Sequence, residues 1–359
     1  MLMRPILGLA ALVLAATACL AQTPERLAVV EDVIETEIVT RYAAFDAATG
    51  TLAEAAGAHC QGPSPDSLSA LRDQFAATVD AWSRVEMIRF GPAREDYRFE
   101  RIFFWPDRKG RGLRQVQGFV GAKEPAALDP KTLYEQSVAV QGLPALDFLL
   151  FGPYEKRLLA EGSYVCGYVS AVAQSLHVIA GNILSDWRDP DGYRKLMLNP
   201  GPENPLFRDD AEVLQAIIQA AREQVQMVRD LKLQAVIEES PDASHAKRAP
   251  FWRSNETVPS LIANLEAVAA LFEGHFNPLL GTDDGEVANA LAFEIRSATH
   301  VLRELDETGD SWVALVESPE HHKELTYTLI PLGGAVTVLS DRYPAALALV
   351  LGFNSMDGD

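Results

Sequence analysis

Seven histidines, three cysteines and fifty acidic side chains are the chemistry-bearing material of this 359-residue chain. Few of them stand at spacings that make a site. No His-Glu-x-x-His pair, Gly-x-Ser-x-Gly elbow, phosphate-binding glycine loop or dinucleotide glycine fingerprint occurs. The cysteines never fall as Cys-x-x-Cys, which excludes the zinc and dithiol motifs that need that spacing. His300 and Glu304 have the i,i+4 spacing of two ligands on one helix face, and Glu320-His321-His322-Lys323-Glu324 gathers polar groups at a helix start. His59 adjoins Cys60, His177 lies near an apolar helix face, His245 falls in a loop and His275 lies near a helix end. A metal site needs three or four convergent ligands. These scattered residues therefore read as surface pairs and ordinary core or loop histidines.

The elements that would position any site are helical. Leu68, Leu71, Phe75, Val79, Trp82 and Val85 step by three and four, so they share one helix face, and Ser64-Pro65-Asp66 just ahead supplies a start signal. The stripe recurs at Tyr168, Val172, Leu176, Ile179, Ile183 and Trp187, at Leu214, Ile218, Ala221, Val225, Val228 and Leu231, and at Leu291, Ile295, Ala298, Leu302 and Leu305. Residues 24–58 are helix-like as well. No alternating strand ladder is found, although 101–105 is a short stretch that can be extended. Each amphipathic helix must bury its stripe against others, which predicts an all-α chain of two helical-bundle domains, with a diverged duplication of one bundle as an option. The Pro-, Gly- and Asn-rich stretch 190–205 marks the boundary, giving bundles over 22–205 and 206–359, the second interrupted by a loop over 239–250.

The N-terminus is a separate matter. Arg4, an apolar run over 6–16 too short to span a bilayer, and small residues up to Ala21-Gln22 predict a secretory signal over 1–21 and a periplasmic mature protein. Cys19 offers lipid anchoring as an alternative, on a poor lipobox. No later segment is long and apolar enough for a transmembrane helix. The formal net charge of −19 repels nucleic acid and anionic lipid, and serves solubility before any specific role. Beyond the signal two cysteines remain, Cys60 and Cys166. An oxidising compartment predicts a bridge between them, with two buried thiols as the alternative.

Four strings carry a resemblance: Arg101-Ile102-Phe103-Phe104-Trp105-Pro106-Asp107, Gln141-Gly142-Leu143-Pro144-Ala145-Leu146-Asp147-Phe148-Leu149-Leu150-Phe151-Gly152, Lys247-Arg248-Ala249-Pro250-Phe251-Trp252-Arg253-Ser254, and the C-terminal Gly352-Phe353-Asn354-Ser355-Met356-Asp357-Gly358-Asp359. Residues 82–92, with Glu86 and Phe90-Gly91-Pro92, fit too. In order and spacing they resemble the imelysin family, also called imelysin-like or M75 peptidases. The resemblance spans essentially the whole mature chain. It implies two helical bundles, export, and for several members a link to iron uptake or iron-regulated expression; a peptidase activity is attributed to the founding members.

The resemblance also implies a hallmark, Gly-x-His-x-x-Glu, from which this chain departs. Gly142 keeps the glycine, Pro144 stands where the histidine would be and Asp147 where the glutamate would be. Proline offers no metal-binding nitrogen and no titratable group, so neither a His-ligated metal nor a His base can reside there. Pro144 suits the first turn of a helix, and Asp147 can be a simple dipole-favoured acid. By position in the family strings, Arg253 can grip an anion or pair with Asp147, Glu86 or Asp357. Asp147 and Asp357 can offer hard oxygen ligands to iron or another divalent cation. Ser254, Glu86 and Arg101 complete the candidate cleft, Arg101 as an orienter of one of the acids. The expectation is an exported imelysin-like binding component that engages iron, an iron carrier or an envelope uptake partner. A metallopeptidase of the M75 type, or an interaction module whose ancestral site is lost, are the alternatives.

Overall fold

The computed structural model of the chain describes residues 24–349, apart from residue 108. The signal segment with Cys19, and the C-terminal string with Asp357, lie outside the described residues. Every regular element among the described residues is helical; none is a strand.

Helix α1 (Pro24–Asp32) passes through a π-helical segment (Val33–Val39) into α2 (Thr40–Gln61). A tight link leads to α3 (Pro65–Val85), which begins where its sequence says it should. The Ser64 hydroxyl accepts the amide of Ser67 at 3.1 Å, and the Ser67 hydroxyl accepts the amide of Ser64 at 3.0 Å, a reciprocal cap. Short helices follow: α4 (Arg98–Ile102), α5 (Arg111–Ala122), α6 (Pro130–Tyr134), α7 (Gly142–Phe151) and α8 (Glu155–Leu158). The 101–105 stretch is thus the end of a helix followed by irregular chain, with a cis peptide at Trp105-Pro106. The long α9 (Tyr164–Arg188) buries Tyr168, Val172, Leu176, Ile179, Ile183 and Trp187 as its spacing predicts. Each such side chain contributes roughly 1.5–3 kcal/mol relative to exposure.

In the second half, α10 (Tyr193–Leu198) sits within the Pro/Gly-rich stretch. Next come α11 (Asp210–Gln226) with a π-helical continuation (Met227–Gln234), then α12 (Thr257–Leu271) with another (Phe272–Phe276). Helices α13 (Gly285–Glu307), α14 (Trp312–Glu317) and α15 (Pro319–Thr337) follow, the last running through π-helical Val338–Arg342 into α16 (Tyr343–Ala346). Helix α2 packs on α3 and α9, with α7 against α9. In the other group α12 packs on α13, α13 on α15, and α11 on α12 and α15. Contact between α3 and α12 joins the two groups, and the buried apolar residues of both halves form one continuous cluster.

One predicted face ends early. Leu214, Ile218, Ala221, Val225 and Val228 are fully buried, but Leu231 is only partly buried, while Lys232 and Leu233 are buried completely. The spacing itself explains it: at about 100° per residue Leu231 falls well off the middle of that face, whereas Lys232 follows Val228 by four and Val225 by seven and stays on it.

The Cys60–Cys166 disulfide forms as expected, with Cα atoms 5.6 Å apart, fastening the end of α2 to the start of α9. No described helix is long and apolar enough to cross a membrane.

Candidate functional site

Gly142 decides how the site is assembled. Its φ is +75°, and a Cβ there would lie 2.2 Å from the carbonyl oxygen of Arg101 and 2.4 Å from that of Ile102. Only glycine lets the start of α7 press onto the end of α4. Pro144 follows in the first turn of α7, where a helix needs no amide donor, as its sequence position predicts. One turn on, Asp147 is buried, at 3% exposure.

Its partners arrive from the loop before α12. Phe251 adopts a left-handed φ of +58°, unusual for a bulky side chain. Its ring is held against Phe103 and Phe75, at centroid distances of 5.4 and 6.3 Å, so apolar packing stabilises the turn. The turn aims Ser254 and Arg253 at α7. The Ser254 amide donates to Asp147 Oδ1 at 3.1 Å, and an Arg253 Nη1 stands 3.7 Å from Oδ2. The guanidinium also lies over the rings of Trp252 and Phe148, at 4.3 and 5.2 Å. Burial pushes the Asp147 carboxyl above the usual range, opposed by the Ser254 hydrogen bonds and the Arg253 charge. Burial lowers Arg253 in turn, opposed by Asp147. Of the ion-pair options open to Arg253, the structure realises the one with Asp147.

This pair lies on the wall of a cleft of about 510 Å³. Its lining comes mainly from three of the four family strings. Phe104, Trp105 and Asp107 come from the first, Pro144, Asp147 and Phe148 from the second, and Lys247, Arg248, Trp252 and Arg253 from the third. Leu231, from the π-helical segment, adds to it. Trp105 Nε1 donates to the Arg248 carbonyl at 3.2 Å, tying the first string to the third. Asp107 is occupied by the backbone: its two oxygens accept the amides of Arg111 at 2.7 Å and Leu113 at 3.2 Å, at the start of α5.

Two candidates belong elsewhere. Glu86 does not line the cleft. Fully buried, it accepts Lys232 Nζ at 2.7 Å and Asn264 Nδ2 at 3.0 Å, with Arg89 at 3.3 Å. Burial pushes its carboxyl up, but Lys232 and Arg89 overcome this and leave it below the usual range. Arg101 orients no acid. It donates to the carbonyls of Asp96 and Tyr134 and lies over the Tyr134 ring at 4.1 Å, so its guanidinium is taken up by backbone and ring instead. Asp357 lies outside the described residues, so the Asp147–Asp357 oxygen pair has no described geometry.

The donor set at Asp147 does not fit a resident metal. The hallmark histidine is Pro144, and the remaining carboxylate is spent on Ser254 and Arg253. No group of three or more His, Cys, Asp or Glu among the described residues is placed to hold an ion. His300 and Glu304 form a 3.5 Å surface pair, and His59 is held by Ser67 and the Leu158 carbonyl at 2.7 and 3.1 Å.

Sequence reasoning named the strings but too few side chains within them. It passed over Trp105, Trp252, Lys247 and Arg248 as cleft residues, although all four stand in the quoted strings. Lys232 had a usable signal, since it follows Val228 by four and Val225 by seven, but the apolar face was run on to Leu231 instead.

These three strings, which meet at one cleft, all fall within the stretch that matches known proteins. The imelysin family profile covers residues 38–331. The chain belongs to the imelysin family. Among solved structures, an imelysin-like protein from Psychrobacter arcticum 273-4 superposes with a TM-score of 0.78 at 20% identity, over 92% of this chain and 97% of that one. A protein from Parabacteroides distasonis ATCC 8503, provisionally named iron-regulated protein A precursor, superposes with a TM-score of 0.71 at 13% identity, over 90% and 96% of the two chains. At these identities the likeness establishes the fold. No curated protein matches the chain.

Proposed function

We propose that this imelysin-family protein is a non-proteolytic binding component of the cell envelope, exported by its N-terminal segment, whose cleft holds a small organic ligand linked to iron uptake. The observation that carries the reading is the cleft itself. It is lined from three distant strings, has the size of a small-molecule site, and holds a few placed polar groups among aromatic walls. A bare ion needs several oxygen or nitrogen donors around a point; here the one buried carboxylate already has its partners. An iron chelate presents an organic surface instead, which such walls suit. The provisional name of the Parabacteroides distasonis relative supports the iron link.

The test is native mass spectrometry of protein recovered from the envelope, with calorimetric titration by ferrous iron, ferric iron and ferric chelates of aromatic and aliphatic acids. A co-purified small molecule, or saturable binding of a chelate, is the expected result. Silence with every titrant, together with chelator-sensitive cleavage of casein, would replace this reading with the metallopeptidase one.

A further inference from the structure

We propose that the cleft takes a small anionic ligand whose negative charge sits directly on a flat aromatic ring, an aryl carboxylate or a catecholate, either free or as its iron(III) complex. This rests on the ligand-binding reading above.

The charge pattern is the first observation. On a chain of net charge −19, an arbitrary patch would be acidic. The cleft instead brings together Lys247, Arg248 and Arg253, against Asp107 and Asp147. Both carboxylates are engaged, Asp107 by the α5 amides and Asp147 by Ser254 and Arg253. The cations are not matched in the same way. Lys247 and Arg248 are exposed, and among the described residues no carboxylate stands within ion-pair distance of either. Arg253 is shared with Asp147 at 3.7 Å, so the positive charge left over in the cleft is that of Lys247 and Arg248. The cleft therefore offers positive charge to whatever enters.

The second observation is where that charge lies. Lys247 Nζ is 5.5 Å and the Arg253 guanidinium 4.3 Å from the centre of the Trp252 ring. Trp105, Phe104 and Phe148 supply further aromatic surface. Cation and ring surface are thus within one another's reach, so the ligand's anion and its own ring must be equally close. An aryl carboxylate meets that condition. Its oxygens take the guanidinium or ammonium groups, and its ring covers tryptophan or phenylalanine. Citrate has charge without a ring. A nucleoside monophosphate has both, but separates them by a sugar. A free dication has neither and meets like charge.

Tryptophan fluorescence and calorimetry on the full chain test this with 2,3-dihydroxybenzoate, its iron(III) complex, citrate and AMP. The expected result is saturable binding of dihydroxybenzoate or its complex, with citrate and AMP weaker by about tenfold or more. The tighter of the first two arms identifies the free acid or the complex as the ligand. Arg248→Ala and Trp252→Leu should each weaken it by about tenfold, the loss of roughly one charge-assisted contact or one stacking surface. Circular dichroism spectra of both variants check that they fold. Citrate or AMP binding as tightly as dihydroxybenzoate, or variants that fold and bind unchanged, would overturn the ligand class while leaving the binding reading intact. Silence of all four probes and of iron itself would overturn both.

Discussion

Asp147 accepts the backbone amide of Ser254, 107 residues further along the chain, at 3.1 Å. This bond joins α7 to the loop that carries Phe251, Trp252 and Arg253, so it fixes one wall of the cleft relative to another. Asp147→Ala would leave a buried amide unpaired and Arg253 without its anion. We expect a loss of about 2–4 kcal/mol in urea unfolding, with Asp147→Asn losing less because it keeps an acceptor. A cleft built without this bond would show no difference between the two variants.

Gly142→Ala should be worse than its size suggests. The added methyl would meet two backbone carbonyls at 2.2 and 2.4 Å, and neither can move without displacing α4. A loss of at least about 3 kcal/mol, or failure to recover folded protein, is expected. Full recovery with unchanged thermal midpoint would refute the close packing of α7 on α4.

Lys232 and Glu86 are both fully buried and bonded at 2.7 Å. Truncating one partner leaves the other charge in the core, so Lys232→Ala should cost about 3–5 kcal/mol. Replacing the pair together, as Lys232→Met with Glu86→Gln, should cost less than the sum of the single changes. A double-mutant cycle of chemical denaturation curves reads the coupling.

Glu256, ahead of α12, has its carboxyl pushed up to about 7 by burial, then by Asp306, Asp80 and Asp147. Its folded form holds the proton more tightly than the unfolded chain. The stability it contributes is therefore fully present below about pH 4.5 and is lost as pH rises to about 7. Glu256→Gln removes that loss. Its advantage in unfolding free energy over the natural chain, read from urea curves, should be near zero at pH 4.5 and grow to about 1 kcal/mol at pH 8, reduced by solvent screening at this half-buried position. A gap that shrinks with rising pH would reverse the assignment.

Reduction of Cys60–Cys166 reopens a span of 106 residues. The chain-entropy relation puts the cost at about 4–5 kcal/mol, read as the shift in urea midpoint with and without reductant.

What the sequence revealed and what it hid have physical causes. Long helices such as α9 were legible because an apolar stripe at helical spacing has one way to be buried. The place of Pro144 was legible too, since a proline suits the first turn of a helix, where it stands. Arg253 and Ser254 were found through the family string, and they do meet Asp147. Glu86 and Arg101 were misplaced because helix spacing tells which residues share a face, not which neighbour that face meets. Lys232 was missed for another reason. It follows Val228 by four and Val225 by seven on the buried face, but the stripe was run on to Leu231 instead, across an aberrant π-helical turn over Met227–Gln234.

That aberrant turn makes the helix after α11 sensitive to chain length as well as to composition. Removing a single residue ahead of Lys232 in that segment would restore α-helical bonding and leave the side chains beyond it pointing as they do now, whereas straightening the turn without that deletion would rotate the ammonium group away from its carboxylate partner. When relatives are aligned across this stretch, a one-position gap is the physically meaningful choice, and a gapless alignment would equate side chains that point in different directions.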